Sequence, residues 1–318
     1  MGARSLAFFA VLSLAACGSD RRVPGGRGSD GGIVTDGGSF SRPDVDRSCT
    51  PSGAEGTPET CGDGIDNDCN GLFDCSDYAC SGIGGCPECG TVETPLGSPL
   101  ALPDGVGNIR CTTDADCPGE QHCFTIDGAI GGTRQECRES YRSTLNFIGF
   151  GSAVFDSVSD IQSLCVTMEH SWVRDLEITL EAPNGARVRL QRFLGQEGGE
   201  IYLGQANDCD DSATPVPGTG ARYCWTPTAS RPAMLEYANG GGAMDSAPNC
   251  SGFGSDADMM PPGDYNAADD WSALIGTPLN GEWTLSVTDL WPSDNGYIFD
   301  WSISFDPSTV ADCSSPLI

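Results

Sequence analysis

Asp175-Leu176-Glu177-Ile178-Thr179-Leu180 alternates polar and apolar residues without a break, and that period of two decides the fold. It places Leu176, Ile178 and Leu180 on one face of an extended strand. After Pro183-Asn184-Gly185 the alternation resumes in Arg187-Val188-Arg189-Leu190, which predicts a hairpin. Trp283-Thr284-Leu285-Ser286-Val287 and Trp301-Ser302-Ile303-Ser304-Phe305 read as two more strands, with the turn-rich Pro292-Ser293-Asp294-Asn295-Gly296 between them. The pattern starts near Ser143, and the sequence from there on carries the only sizeable core. Many short alternating strands separated by Gly/Pro turns predict an all-β chain whose C-terminal part, residues 139–318, is a β-sandwich or jelly roll.

The rest of the chain is different in kind. Among 318 residues, 16 basic side chains face 45 acidic ones, a net charge of −29, and every basic residue is Arg. That balance excludes a phosphate-tracking nucleic-acid binder, which needs dense positive charge, and argues equally against docking on an anionic membrane. With 43 Gly, 21 Pro and 17 Cys, a long helical bundle is also disfavoured.

Residues 1–16 have the layout of an export signal: Arg4, an apolar run from Leu6 to Leu14, and Leu14-Ala15-Ala16 before Cys17. The last four of these resemble a bacterial lipobox. The resemblance implies cleavage before Cys17, diacylation of its thiol and acylation of the new amino terminus, and several acyl chains give stable anchoring. No later window offers about 20 uncharged apolar residues. The expectation is an exported lipoprotein of the bacterial cell envelope, at the outer membrane, held by lipid alone. Residues 17–48 hold Gly-Gly and Asp-Gly dipeptides and almost no apolar side chains, so they read as a disordered tether.

Setting Cys17 aside leaves 16 cysteines, an even number in a compartment where disulfides persist. Seven lie in Cys49–Cys89, four in Cys111–Cys137 and five from Cys165 to Cys313. If all pair, the odd groups require at least one bridge between them. Residues 49–90 and 91–138 are too poor in apolar residues to hold a core, so they are expected to be small disulfide-held modules. Cys86-Pro87-Glu88-Cys89 has zinc-like spacing but lacks a second such pair, so oxidation is the preferred reading.

Asp66-Asn67-Asp68-Cys69-Asn70-Gly71-Leu72-Phe73-Asp74-Cys75-Ser76-Asp77 fits a twelve-residue calcium loop. Asp66, Asp68 and Asn70 take positions 1, 3 and 5, Gly71 the sharp turn, the Leu72 carbonyl position 7, Asp74 position 9 and Asp77 position 12. Calcium takes six to eight oxygens, and alternate residues on a tight turn aim them at one point. Asp77 stands where a longer Glu is usual, which predicts weak binding, in the range of about 10⁻⁴ to 10⁻³ M. Asp63 to Gly71 resembles the metal-binding repeats of exported bacterial proteins and, more loosely, thrombospondin type 3 and dockerin loops. No amphipathic helices flank it, so an EF-hand pair is not expected.

Met168-Glu169-His170-Ser171-Trp172-Val173-Arg174-Asp175-Leu176-Glu177-Ile178-Thr179-Leu180, followed by Ala182-Pro183-Asn184-Gly185, resembles the opening signature of the P (Homo B) domain of proprotein convertases. Asn280-Gly281-Glu282-Trp283-Thr284-Leu285-Ser286-Val287-Thr288-Asp289, Asp294-Asn295-Gly296 and Trp301-Ser302-Ile303 resemble its later segments. The resemblance covers about 143–307 and implies a galactose-binding-like jelly roll, a domain that helps a subtilisin-like protease to fold. Gln196 to Asp270 departs from the pattern and reads as a disulfide-pinned surface excursion. No protease precedes the domain. A catalytic triad needs a His beside an activated nucleophile, and His122 and His170, the two histidines, have no nucleophile motif nearby. The chain is therefore expected not to be an enzyme.

Asp175, Asp289 and Asp294 fall at loop ends where they could approach one another and bind a second calcium, the alternative being acidic turn residues that are merely solvated. Trp172, Trp283 and Trp301 suggest sugar stacking, but their strand positions favour the core. Three functions follow: a calcium-stabilised, non-catalytic surface lipoprotein that binds a protein or matrix partner; an accessory to a separate subtilisin-like serine endopeptidase; and, by fold analogy only, a carbohydrate-binding jelly roll.

Overall fold

The computed structural model describes residues 49–318 apart from 70–71, 87, 95–98, 104, 106–108, 127–132, 195–197, 208–215, 251–254, 293, 295, 311–312, 314–316 and 318. The export signal, Cys17 and the tether lie outside the described residues.

The alternating runs become strands. In chain order these are β1 (Thr91–Glu93), β2 (Leu100–Ala101), β3 (His122–Ile126), β4 (Arg134–Arg138), β5 (Tyr141–Phe147), β6 (Ile161–His170) and β7 (Leu176–Glu181). There follow β8 (Arg187–Gln191), β9 (Ala221–Trp225), β10 (Asp245–Ala247), β11 (Ala257–Met259), β12 (Gly263–Tyr265), β13 (Gly281–Asp289) and β14 (Gly296–Phe305). One short helix, α1 (Met234–Asn239), lies between β9 and β10. In β7 the buried residues are Leu176, Ile178 and Leu180, as the alternation predicts, and β7 pairs antiparallel with β8 across the Pro183-Asn184-Gly185 turn.

Two sheets face each other. One has four antiparallel strands in the order β5-β13-β7-β8, and the other runs β1-β14-β6-β9-β12 with β2 also on β14. The chain is all-β and sandwich-like. Side chains from both sheets form one continuous core. At its centre the rings of Trp283 and Phe305 lie 5.3 Å apart, and Phe147 and Phe150 pack edge-on against Phe305. The Trp301 indole N–H crosses between the sheets to donate to Ser143 Oγ at 2.8 Å. β13 and β14 belong to opposite sheets, so the chain passes from one to the other between Asp289 and Gly296.

Two features differ from the sequence expectations. The stretch from Gln196 to Asp270 does not lie wholly at the surface. Its Ala221–Trp225 segment is β9, an inner strand of the larger sheet, with Tyr223 and Trp225 fully buried and Cys165 bridged to Cys224 on the paired strand. Alternation in Ala221-Arg222-Tyr223-Cys224-Trp225 is the signal, obscured by the glycines around it. In addition, β1 and β2 pair with β14, so Thr91–Glu93 and Leu100–Ala101, grouped by sequence with the second cysteine module, belong to the larger sheet.

The modules upstream are disulfide frameworks. Cys49–Cys69, Cys61–Cys80 and Cys75–Cys86 tie together three short 3₁₀ turns around a core of cysteines. Cys111–Cys123 and Cys117–Cys137 brace the β3–β4 hairpin. There Asp116 accepts from the N–H groups of Thr112 and Thr113 and from the Thr112 hydroxyl, which hold its carboxyl down to about 2. The bridge between groups that odd counting requires is Cys89–Cys313. Beside it Gly90 has φ +81°, and an added Cβ would lie 2.5 Å from the Phe305 carbonyl oxygen, so only glycine lets the first module run straight into the sheet edge.

This bridge closes the longest loop among the described disulfides, 224 residues. Replacing both partners, Cys89→Ser and Cys313→Ser, is expected to lower stability to urea by about 2–4 kcal/mol. A midpoint matching the parent's would show that the module adds no constraint to the sandwich.

Candidate functional site

Three groups of residues at or beside the sandwich offer chemistry. The first is the acidic loop of the 49–90 module. Asp74 adopts a left-handed backbone, φ +50°, and its Oδ1 accepts from the Gly64 N–H at 3.0 Å, which folds the loop back on its start. Asp77 is buried and accepts from the Ala79 N–H at 2.7 Å. Asn67, which the loop pattern leaves unassigned, is buried: its amide donates to the Asp63 carboxylate and its backbone N–H to Glu55. Asp66 and Asp68 are half-buried on the same loop, while Asn70 and Gly71 lie outside the described residues. Among the described residues, two groups of three have donor atoms all within 4.8 Å of one another, Cys111/Cys117/Cys137 and Glu55/Cys61/Cys80. Their cysteines are all in disulfides, so neither group supplies thiolates to a metal.

The second group sits where β13 hands over to β14. Asp175 ends a 3₁₀ turn, Val173–Asp175, that leads into β7, and Asp289 ends β13 opposite Leu176. Asp294 follows in the crossing segment. Asp175 is 0% exposed and Asp289 1%. The Asp289 carboxylate faces His170 Nε2 at 3.4 Å and accepts from the Trp291 N–H at 2.9 Å, and Asp294 accepts from the Ser171 hydroxyl at 2.9 Å. Burial, then the charges of Asp289 and Asp294, push the Asp175 carboxyl up to about 9. The structure brings together the three aspartates named from sequence, and adds His170. Gly296 is required here, because a Cβ would lie 2.3 Å from the His170 ring.

Neither histidine lies beside a nucleophile in the described hydrogen bonds. His170 Nδ1 accepts from the Trp172 N–H, so the neutral ring donates from Nε2 to Asp289. His122 sits between Asp114 and Arg142, 3.2 Å from each. Trp283 and Trp301 are wholly buried and Trp172 half-buried, so the faces of the first two are not open to a sugar.

The third group escaped sequence reasoning. A groove of about 750 Å³ runs over the outer face of the four-stranded sheet, walled by the β3–β4 hairpin. Four of the ten arginines beyond residue 48 line it: Arg142, Arg187, Arg189 and Arg192. Register places Arg142, Ser286, Thr179 and Arg189 in one row across all four strands. Glu181 pairs with Arg187, and Asp269, far along the chain, binds both Arg189 and Arg192. Burial raises the Glu177 carboxyl beside them. The signal was present in the outward positions of the same strands whose inward positions set the fold, but only pairing puts those outward residues side by side.

No family model matches the chain, and no curated protein matches it. Two solved structures are similar. One is the Aeromonas sobria serine protease in complex with its chaperone, at 12% identity and TM-score 0.24, covering 59% of this chain and 36% of that one. The other is the Aeromonas sobria serine protease, at 13% identity and TM-score 0.22, covering 69% and 27%. The chain thus spans about a third of the length of each. At these TM-scores the likeness is too slight to carry a fold or an activity across.

The Asp269 bridge gives a pH-dependent test. Burial raises its carboxyl, but bonds from Arg189 and Arg192 outweigh this and leave it below the ordinary value of 3.8. Its stabilisation is therefore full above the unfolded value and fades as pH falls through the folded one. Asp269→Asn is expected to cost about 0.5–1 kcal/mol at pH 7, discounted for partial exposure, and nothing at the acid end of the transition. Urea midpoints measured from pH 2 to pH 7 check this, and a pH-independent gap would assign the effect to packing.

Proposed function

We propose that the chain is a non-catalytic lipoprotein of the bacterial cell envelope, lipidated at Cys17, that carries calcium in its 66–77 loop and presents a P/Homo B-like sandwich as a binding module for a protein or matrix partner. The observation that carries the binding role is the groove. On a chain with net charge −29, arginines gather over one sheet face, and guanidinium and hydroxyl groups form a row that spans three strand spacings, about 14 Å. Glu181 and Asp269 hold Arg187, Arg189 and Arg192 in place, and the exposed Arg142 with the Ser286 and Thr179 hydroxyls suits an extended segment offering carboxylates and main-chain carbonyls. Engagement of both histidines elsewhere supports the non-catalytic reading. The P/Homo B resemblance is supported by where its motifs lie: they form β6, β7, β13 and β14, and their Trp283 and Trp301 fill the core. Among the described residues no helix is long and apolar enough to cross a membrane.

In the loop, Asp66, Asp68, Asp74 and Asp77 with the Leu72 carbonyl form an oxygen-only donor set of the kind calcium prefers, and Asn70 completes the pattern. When bound, calcium would supply a crosslink that a module without a hydrophobic core lacks. The disulfides already shape the backbone around it.

Capture from detergent-solubilised envelopes by oxidised residues 18–318 tests the binding role. The parent is expected to enrich a defined partner at least tenfold over Arg142→Glu/Arg187→Glu, two exposed changes in the groove. Equal capture by the two, or none above a reduced control, would end this reading, and recovery of a subtilisin-like endopeptidase would assign the accessory role. Separately, calorimetric calcium titration is expected to show a site of about 10⁻⁴ to 10⁻³ M that Asp66→Ala/Asp68→Ala removes. Identical isotherms would leave the module a disulfide knot.

A further inference from the structure

Burying an ionised carboxylate costs several kcal/mol unless a partner compensates it. Asp175 is fully buried, and among the described residues neither of its oxygens receives a hydrogen bond. Its neighbours are two more carboxylates, those of Asp289 and Asp294. The contact with Asp294 joins two acceptors, so it satisfies neither unless something positive stands between them. The adjacent guanidinium does not serve: Arg174 donates from Nε to the Gly199 carbonyl and from Nη2 to Asn239 Oδ1.

The surroundings hold the other two carboxylates in place. His170 and the Trp291 N–H each contact one oxygen of Asp289, and Ser171 binds Asp294. The Leu290 N–H donates to the Asp175 carbonyl at 2.9 Å, locking the end of β13 to the start of β7. A carboxylate oxygen can accept a hydrogen bond and ligate a cation at the same time. Asp289 and Asp294 therefore add carboxylate oxygens to a corner in which neither oxygen of Asp175 receives a hydrogen bond among the described residues.

We propose that Asp175, Asp289 and Asp294 form a buried site for a hard divalent cation, calcium by preference, at the crossing from one sheet to the other. The donors are all oxygen, which favours calcium over zinc. Calcium's flexible coordination also suits three donors from separate segments better than the strict octahedron of magnesium. His170 is a positioning residue: with Nδ1 accepting from Trp172 and Nε2 directed at Asp289, its ring orients a ligand. The competing occupant is a proton on Asp175, and the two make opposite predictions. This site is separate from the 66–77 loop, and either can fail alone.

The test uses the oxidised chain, residues 18–318, carrying Asp66→Ala/Asp68→Ala so that the loop does not contribute. Calorimetry is expected to find one calcium per chain, and saturating calcium to raise Tm by about 5 °C over chelator. Adding Asp175→Asn, which keeps shape and removes charge, should leave Tm in chelator equal or higher and abolish the calcium-dependent rise. Asp294→Asn, at a half-buried position, should weaken binding about tenfold or more and reads the same loss if Asp175→Asn is not recovered folded. No calcium uptake by the chain carrying Asp66→Ala/Asp68→Ala, or an undiminished rise in both asparagine variants, would overturn the site in favour of the proton.

Discussion

The edge-on contact of Trp283 with Phe305 joins a strand of one sheet to a strand of the other, and the position of the acidic corner follows from it. β13 and β14 are consecutive in sequence and would form a hairpin if they shared a sheet. Because they lie in opposite sheets instead, the chain passes from one sheet to the other between Asp289 and Gly296. Asp289 ends β13 and Asp294 lies two residues before β14, while Asp175 immediately precedes β7, the sheet neighbour of β13. Hydrophobic packing thus gathers three like charges that electrostatics alone would keep apart.

The treatment of buried acid elsewhere in the molecule sets that corner apart. Glu136 is buried, yet it meets Arg134, Arg138 and Arg110. Asp269 holds two arginines, and Asp160 accepts from the backbone of Asp156 and Ser157. A chain with 45 acidic and 16 basic residues cannot pair every carboxylate with an arginine. Arg174 is next in sequence to Asp175 and binds a carbonyl and an amide instead. That choice is intelligible if the charge at Asp175 is met by an ion from solution.

The strands most visible in sequence were those with one wet and one dry face, because alternation survives there: Leu176–Glu181 and its hairpin partner read directly. β9 was hidden, since both its neighbours in sequence are Gly- and Pro-rich and its five residues carry only Tyr223 and Trp225 as inward signals. β1 and β2 were hidden for another reason: three and two residues give no period to read, and only pairing with β14 defines them. The same distinction governs the sites. The 66–77 loop is local, so its spacing shows in sequence, and the three aspartates could be named because each lies at or beside the end of an alternating run: Asp175 just before β7, Asp289 at the end of β13 and Asp294 just before β14. His170 and the arginine groove depend on register and on the return of Asp269 to β8, which no local pattern encodes.

The disulfides make these distant parts one object. Cys89–Cys313 fixes the first module to the end of the chain. The braced β3–β4 hairpin packs Ile126 on Phe193 and Leu290, with Arg134 over the Trp291 ring. Leu290 and Trp291 immediately follow Asp289, so the hairpin rests on the two residues next to the acidic corner. An ion at Asp175, Asp289 and Asp294 would stiffen that segment and, through it, the hairpin. A groove whose wall is already ordered loses less entropy when a partner enters. Calcium at the corner would then strengthen partner binding without touching the partner, and the two sites would be linked through two consecutive residues of the chain.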